Sequence, residues 1–140
     1  MAKGFTSTAE IAATPDEVWA SLIDFERTSA WMTGIDGMRP VGTGAIEVGT
    51  ELVFTARGRE RRSSITGLEP VRRIDLTSTQ GGVTATYSYR IEPSSGGTRL
   101  TLDAVCEASG AWKLLHPLIA LAMKASDGGQ PAKLKALVEA

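Results

Sequence analysis

The segment Ile11-Ala12-Ala13-Thr14-Pro15-Asp16-Glu17-Val18-Trp19, continued by Asp24-Phe25-Glu26 and Trp31-Met32, decides how this chain folds. Thr14 carries a short hydroxyl side chain that accepts a hydrogen bond from a free first-turn amide, so it reads as a helix N-cap. Pro15 takes the first helical position, where a missing N–H costs nothing, and Glu17 completes a capping box. Val18, Trp19, Leu22 and Ile23 recur at helical spacing, which predicts a helix from about Pro15 to Ile23. Upstream, Phe5, Ser7, Ala9 and Ile11 alternate with Thr6, Thr8, Glu10 and Ala12, the period of a half-buried strand. A second helical turn is expected around Glu26 to Met32, stopped by Thr33-Gly34.

Residues 35–44, punctuated by Gly37, Pro40, Gly42 and Gly44, suit an edge strand and a loop. Strand-like runs follow at Glu51–Arg57, Arg61–Leu68, Arg73–Thr79, Val83–Ile91 and Arg99–Glu107, with turn signals at Gly58, Glu69-Pro70, Gly81-Gly82 and Ser94-Ser95-Gly96-Gly97. Five runs joined by short turns imply an antiparallel meander. From about Ala111 the chain reads as a long helix, with Trp112, Leu115, Ile119 and Met123 near one stripe and Leu114, Leu118 and Leu121 widening it. A helix apolar over so much of its girth must be gripped on several sides. Asp127-Gly128-Gly129-Gln130-Pro131 then intervenes. Each interior glycine costs about 1 kcal/mol relative to alanine and an interior proline about 3, so a break or sharp kink is expected, acting as a hinge.

A strand that turns through a Thr-Pro-Asp-Glu corner into a Val-Trp helix resembles the START-like helix-grip (SRPBCC) superfamily, in its polyketide cyclase/dehydrase branch. The order of strand, helix pair, six strands and long C-terminal helix extends the resemblance over essentially the whole chain, 1–140, as one domain. The resemblance implies an α+β helix-grip fold: a curved antiparallel sheet of about seven strands around a long C-terminal helix, two short helices after the first strand, and an apolar cavity between sheet and helix. It also implies that the region of Trp31 lines the cavity mouth. The Gly-Gly-Pro interruption departs from the unbroken helix typical of the superfamily.

The chain has 140 residues, 42% hydrophobic and 22% charged, with net charge −1, the profile of an ordinary globular domain. That balance offers no global field for nucleic acid or an anionic membrane. The single Cys106 forms no internal disulfide, no charged-then-apolar signal pattern is present, and Trp112–Met123 is too short for stable membrane insertion. A cytoplasmic location is therefore expected. One His and one Cys do not compose an ordinary zinc site, and neither a phosphate-binding glycine loop nor a hydrolase triad is identifiable, so no metal or cofactor is expected.

Tyr87 and Tyr89 share the apolar face of a central strand and need partners for their hydroxyls, either backbone groups or a ligand. Arg57, Arg59, Arg61, Arg62, Arg72 and Arg73 form the strongest charge feature and suit a solvated hairpin; strand parity makes Arg61 and Ser63 the inward exceptions, and an inward Arg61 would anchor a ligand. His116 precedes Pro117 in the first helical turns, a place that suits a rim or surface residue better than a general base. Trp112 suits core or cavity equally. The expected lining is Trp31, Phe54, Arg61, Leu76, Tyr87, Tyr89, Leu102, Leu115, Ile119 and Met123, with no catalytic residue identified. The expected function is binding or carriage of a small apolar molecule, a lipid, polyketide or quinone-like compound. The alternatives are a polyketide cyclase/dehydrase and a protein-interaction module of the chaperone-activator kind; oligomeric state is not legible.

Overall fold

The Thr14 corner forms as its residues dictate in the computed structural model, which describes residues 3–32, 34–42, 44–56, 58–80, 82–110 and 116–139. Strand β1 (Lys3–Ile11) leads into helix α1 (Pro15–Leu22), whose Glu17 N–H donates to the Thr14 hydroxyl oxygen at 3.2 Å. The Thr14 hydroxyl also donates to the Glu17 carboxylate, also at 3.2 Å, so the box closes between side chains. Val18, Trp19 and Leu22 of α1 are buried. The helical turn expected around Glu26 to Met32 is a 3₁₀ helix (Phe25–Ala30). Its N–H groups of Arg27 and Trp31 bond three residues back, to Asp24 and Thr28. That tight winding stacks Phe25 and Thr28 on one buried edge.

Six strands follow: β2 (Ile35–Pro40), β3 (Glu51–Ala56), β4 (Arg59–Glu69), β5 (Arg73–Gln80), β6 (Val83–Ser94) and β7 (Gly97–Ala108). Neighbours pair antiparallel, and β1 closes onto β7, giving the order β1-β7-β6-β5-β4-β3-β2. The last two strands run longer than the sequence suggests, because Pro93 pairs with Thr98 near the hairpin end of the ladder. A register shift between Ile65 and Gly67 interrupts the β4–β5 ladder and bends the sheet.

Among the described residues, two helices then cross the sheet. Helix α2 (His116–Asp127) and helix α3 (Gln130–Glu139) pack on β1 and β7, and α3 also meets α1. The expected break is present, and its location has a physical cause. The Gly128 N–H bonds Lys124 O at 2.9 Å, and a Cβ at Gly128 would lie 2.6 Å from that same oxygen, closer than any side chain permits. Pro131 does not interrupt a helix; it falls in the first turn of α3, where no intrahelical N–H is needed. Leu134 of α3 is fully buried against the core of Ile11, Val18, Leu100 and Leu102. The result is a seven-stranded curved antiparallel sheet gripping C-terminal helices, with short helices after the first strand.

Candidate ligand-binding site

Alternation along β3 to β6 turns one residue in two toward the helices, and on the β3–β6 side those residues face a cavity of about 160 Å³. Phe54, Ser63, Leu76, Ser78, Ala85, Tyr87 and Tyr89 form its sheet wall. Met32, Ile35 and Met38 close one side, and Asp127 and Gln130, at the α2–α3 turn, supply the polar wall. The cross-strand pairs Leu76–Tyr87 and Ser78–Ala85 place these residues side by side on the sheet.

Two hydrogen bonds join β6 to the turn. The Tyr87 hydroxyl donates to an Asp127 carboxylate oxygen, and the Tyr89 hydroxyl donates to Gln130 Oε1 at 2.6 Å. The Gln130 amide nitrogen reaches the other Asp127 oxygen at 3.5 Å, linking the two pairs. Ser7 of β1 donates to Gly128 O at 2.6 Å and holds the turn from the opposite edge. Burial, and then the Asp127 charge, raise both tyrosine pKa values well above the usual phenol range, so both hydroxyls stay protonated. Behind Tyr89, the Trp31 ring packs edge-on with centroids 5.6 Å apart.

Of the residues expected from sequence to line a cavity, Phe54, Leu76, Tyr87 and Tyr89 are on its wall. Trp31 is buried one layer behind, at 1% exposure. Leu102 is wholly buried in the core, because β7 lies beneath α2 and α3. Met123 is half-buried against that core, and Ile119 is half-buried on α2; neither meets the cavity. Arg61 is half-buried beside its cross-strand partner Phe54, off the wall, and makes no ion pair among the described residues. Leu115, Trp112, Arg57 and the His116 side chain lie outside the described residues.

Asp127 and Gln130 escaped the sequence reading as site residues, as did Met32, Ile35 and Met38. A local signal for the first two exists: an acid and an amide flank Gly128-Gly129 three residues apart, so a helix break there turns both toward one side. Among the described residues no group of three or more His, Cys, Asp or Glu is placed to hold a metal. No helix among them is long and apolar enough to cross a membrane.

A curved sheet that grips C-terminal helices over a cavity defines the Bet v 1/polyketide cyclase (SRPBCC) class of folds. The sequence matches, over residues 3–139, the family described as "Polyketide cyclase / dehydrase and lipid transport", and the chain belongs to it. No curated protein matches the chain. Among solved structures it is similar to the Zhui aromatase/cyclase from Streptomyces sp. R1128, at 14% identity and a TM-score of 0.78, covering 99% of this chain and 94% of that one. It is also similar to the polyketide-cyclase-like protein Cgl2372 from Corynebacterium glutamicum, at 22% identity and a TM-score of 0.67, covering 96% and 90%. A third likeness is TTHA0849 from Thermus thermophilus, at 19% identity and a TM-score of 0.71, covering 96% and 97%.

Proposed function

We propose that this chain binds a small hydrophobic molecule in the cavity between β3–β6 and the α2–α3 turn. The observation that carries this reading is the wall itself: Phe54, Leu76, Met32 and Met38 supply apolar surface, while Tyr87, Tyr89, Asp127 and Gln130 gather the polar groups at one end. Ligand pockets have this division of labour, mostly apolar with a few placed polar groups. Arg61, beside Phe54, meets a ligand only where part of it projects beyond the cavity. One domain spanning the chain, in a cytoplasmic setting, is part of the same reading.

The cyclase reading draws support from the family match and from Asp127 held against Tyr87 in the wall, a carboxylate beside a hydroxyl. Size counts against it. Among the described residues the pocket measures about 160 Å³, below the roughly 300–1,000 Å³ of pockets that enclose drug-sized ligands, so a long poly-keto chain would extend beyond it. The interaction-module reading needs a contiguous apolar patch on the surface. Among the described residues the large exposed apolar side chains fall on separate elements: Val41 and Val48 on the loop before β3, Val105 on β7 and Leu121 on α2.

Native mass spectrometry of freshly purified protein, followed by solvent extraction of bound material, tests the binding reading. A stoichiometric small apolar adduct is expected. A clean apo mass, unchanged after incubation with a panel of small apolar compounds, would remove it.

A further inference from the structure

The directions of the hydrogen bonds on the cavity wall carry more information than its apolar lining. The Tyr87 proton is directed to Asp127 and the Tyr89 proton to Gln130 Oε1. The Gln130 amide nitrogen points to Asp127, which orients the amide with its oxygen toward Tyr89. Each tyrosine hydroxyl therefore has its only proton engaged, and what it leaves for a guest is oxygen lone pairs. Ser63 likewise donates its proton to Thr77 O, at 3.3 Å. Ser78 keeps a rotatable hydroxyl. Asp127 is the charged group on the wall among the described residues, and it is an acceptor. The polar end of the cavity thus presents mostly acceptors, with the second Gln130 N–H and the Ser78 hydroxyl as its donors, and bears negative charge.

Size sets the other limit. A cavity of about 150 Å³ lined by aliphatic and aromatic side chains holds benzene, and this one measures about 160 Å³.

We propose that the cavity selects an uncharged, single-ring molecule that carries a hydrogen-bond donor, a phenol or its equivalent, over a hydrocarbon or a carboxylate of the same shape. This rests on the binding reading above and narrows it to a ligand class. A donor directed at Asp127 or at a tyrosine oxygen gains a hydrogen bond that a methyl group in the same place does not. A carboxylate there brings a second negative charge against Asp127 in a half-buried site.

The test is an NMR titration of the full chain at neutral pH with four probes: toluene, phenol, benzoate and 1-naphthol. Phenol is expected to bind about tenfold more tightly than toluene, and benzoate and 1-naphthol at least tenfold more weakly than phenol. Toluene binding as tightly as phenol overturns the donor selection while leaving the cavity a binding site. Benzoate binding most tightly overturns the acceptor assignment, and 1-naphthol matching phenol overturns the single-ring limit. Binding of none of the four overturns this proposal, and the mass-spectrometric panel then decides the binding reading separately. Asp127→Asn, which keeps the shape and removes the charge, is expected to narrow the gap between phenol and benzoate. If that variant does not fold, the wild-type series decides alone.

Discussion

Tyr87 and Tyr89 are two residues apart and face the same way, yet their hydroxyls have different consequences. Tyr89 is 1% exposed and bonds a Gln130 that is 3% exposed, whereas Tyr87 and Asp127 are half-buried. Tyr89→Phe strands a buried amide oxygen, which costs about 1–3 kcal/mol; Tyr87→Phe leaves Asp127 with access to water and is expected to cost less. Urea denaturation of the two variants checks the order, and equal losses would contradict it. Arg61→Ala, at a half-buried site with no ion pair among the described residues, is expected to change stability by about 0.5 kcal/mol or less in the same assay. Period-2 alternation was enough to place both tyrosines, Leu76 and Phe54 on the inward face. It was silent on Asp127 and Gln130, because which helical side chain meets which strand residue is set by how the helices dock, not by any local pattern.

The α2–α3 turn is where the sequence read most clearly and where its expected behaviour is most constrained. Glycine and proline act through local backbone geometry, so the break was legible; the bonds that tie it down are tertiary and were not. Tyr87, Tyr89 and Ser7 each donate to this turn, from β6 and from β1. Hydrogen exchange across residues 124–132 is expected to be slow in the wild type and faster in Tyr87→Phe, and fast exchange in both would mean that the turn opens regardless of the tyrosine. Gly128→Ala places a methyl group against Lys124 O and is expected to destabilise the fold by about 1–3 kcal/mol, read as a lowered midpoint in thermal unfolding. The 3₁₀ helix shows the opposite case. The sequence signalled a helical turn there without its type, and the tighter winding puts Phe25 and Thr28 on one buried edge.

The chain contains only two tyrosines, and both bond the turn over the cavity. Their folded pKa values are raised above the unfolded value near 10. A raised acid pKa means that the folded chain holds its protons longer, so this contribution to stability is complete below about pH 10 and falls as pH climbs above it. The loss approaches about 1.4 kcal/mol per pH unit for each tyrosine. Tyrosinate absorbance is expected to appear together with loss of secondary structure, and a free phenol titration near pH 10 in the folded protein would contradict the buried hydrogen bonds. The antiparallel meander was legible, since strand-like runs and turn residues alternate from Glu51 to Glu107, and the helix grip followed from the resemblance. The pairing of β1 with β7 was not legible, because no local pattern reports which distant strand closes the sheet. The size of the cavity was not, because it depends on how far α2 and α3 settle toward β7.

The pairing of β1 with β7 bears on the order of synthesis. The first strand made is the one that waits longest for its partner, while β2 to β7 close as successive hairpins between neighbours in sequence. Ser7, on that early strand, meets Gly128, on a turn made only after β7. During translation an unpaired β1 therefore presents a bare edge of backbone donors and acceptors until β7 emerges. The pocket follows later still, once residue 130 has left the ribosome, so no ligand held there can stabilise the nascent domain before α3 begins to emerge.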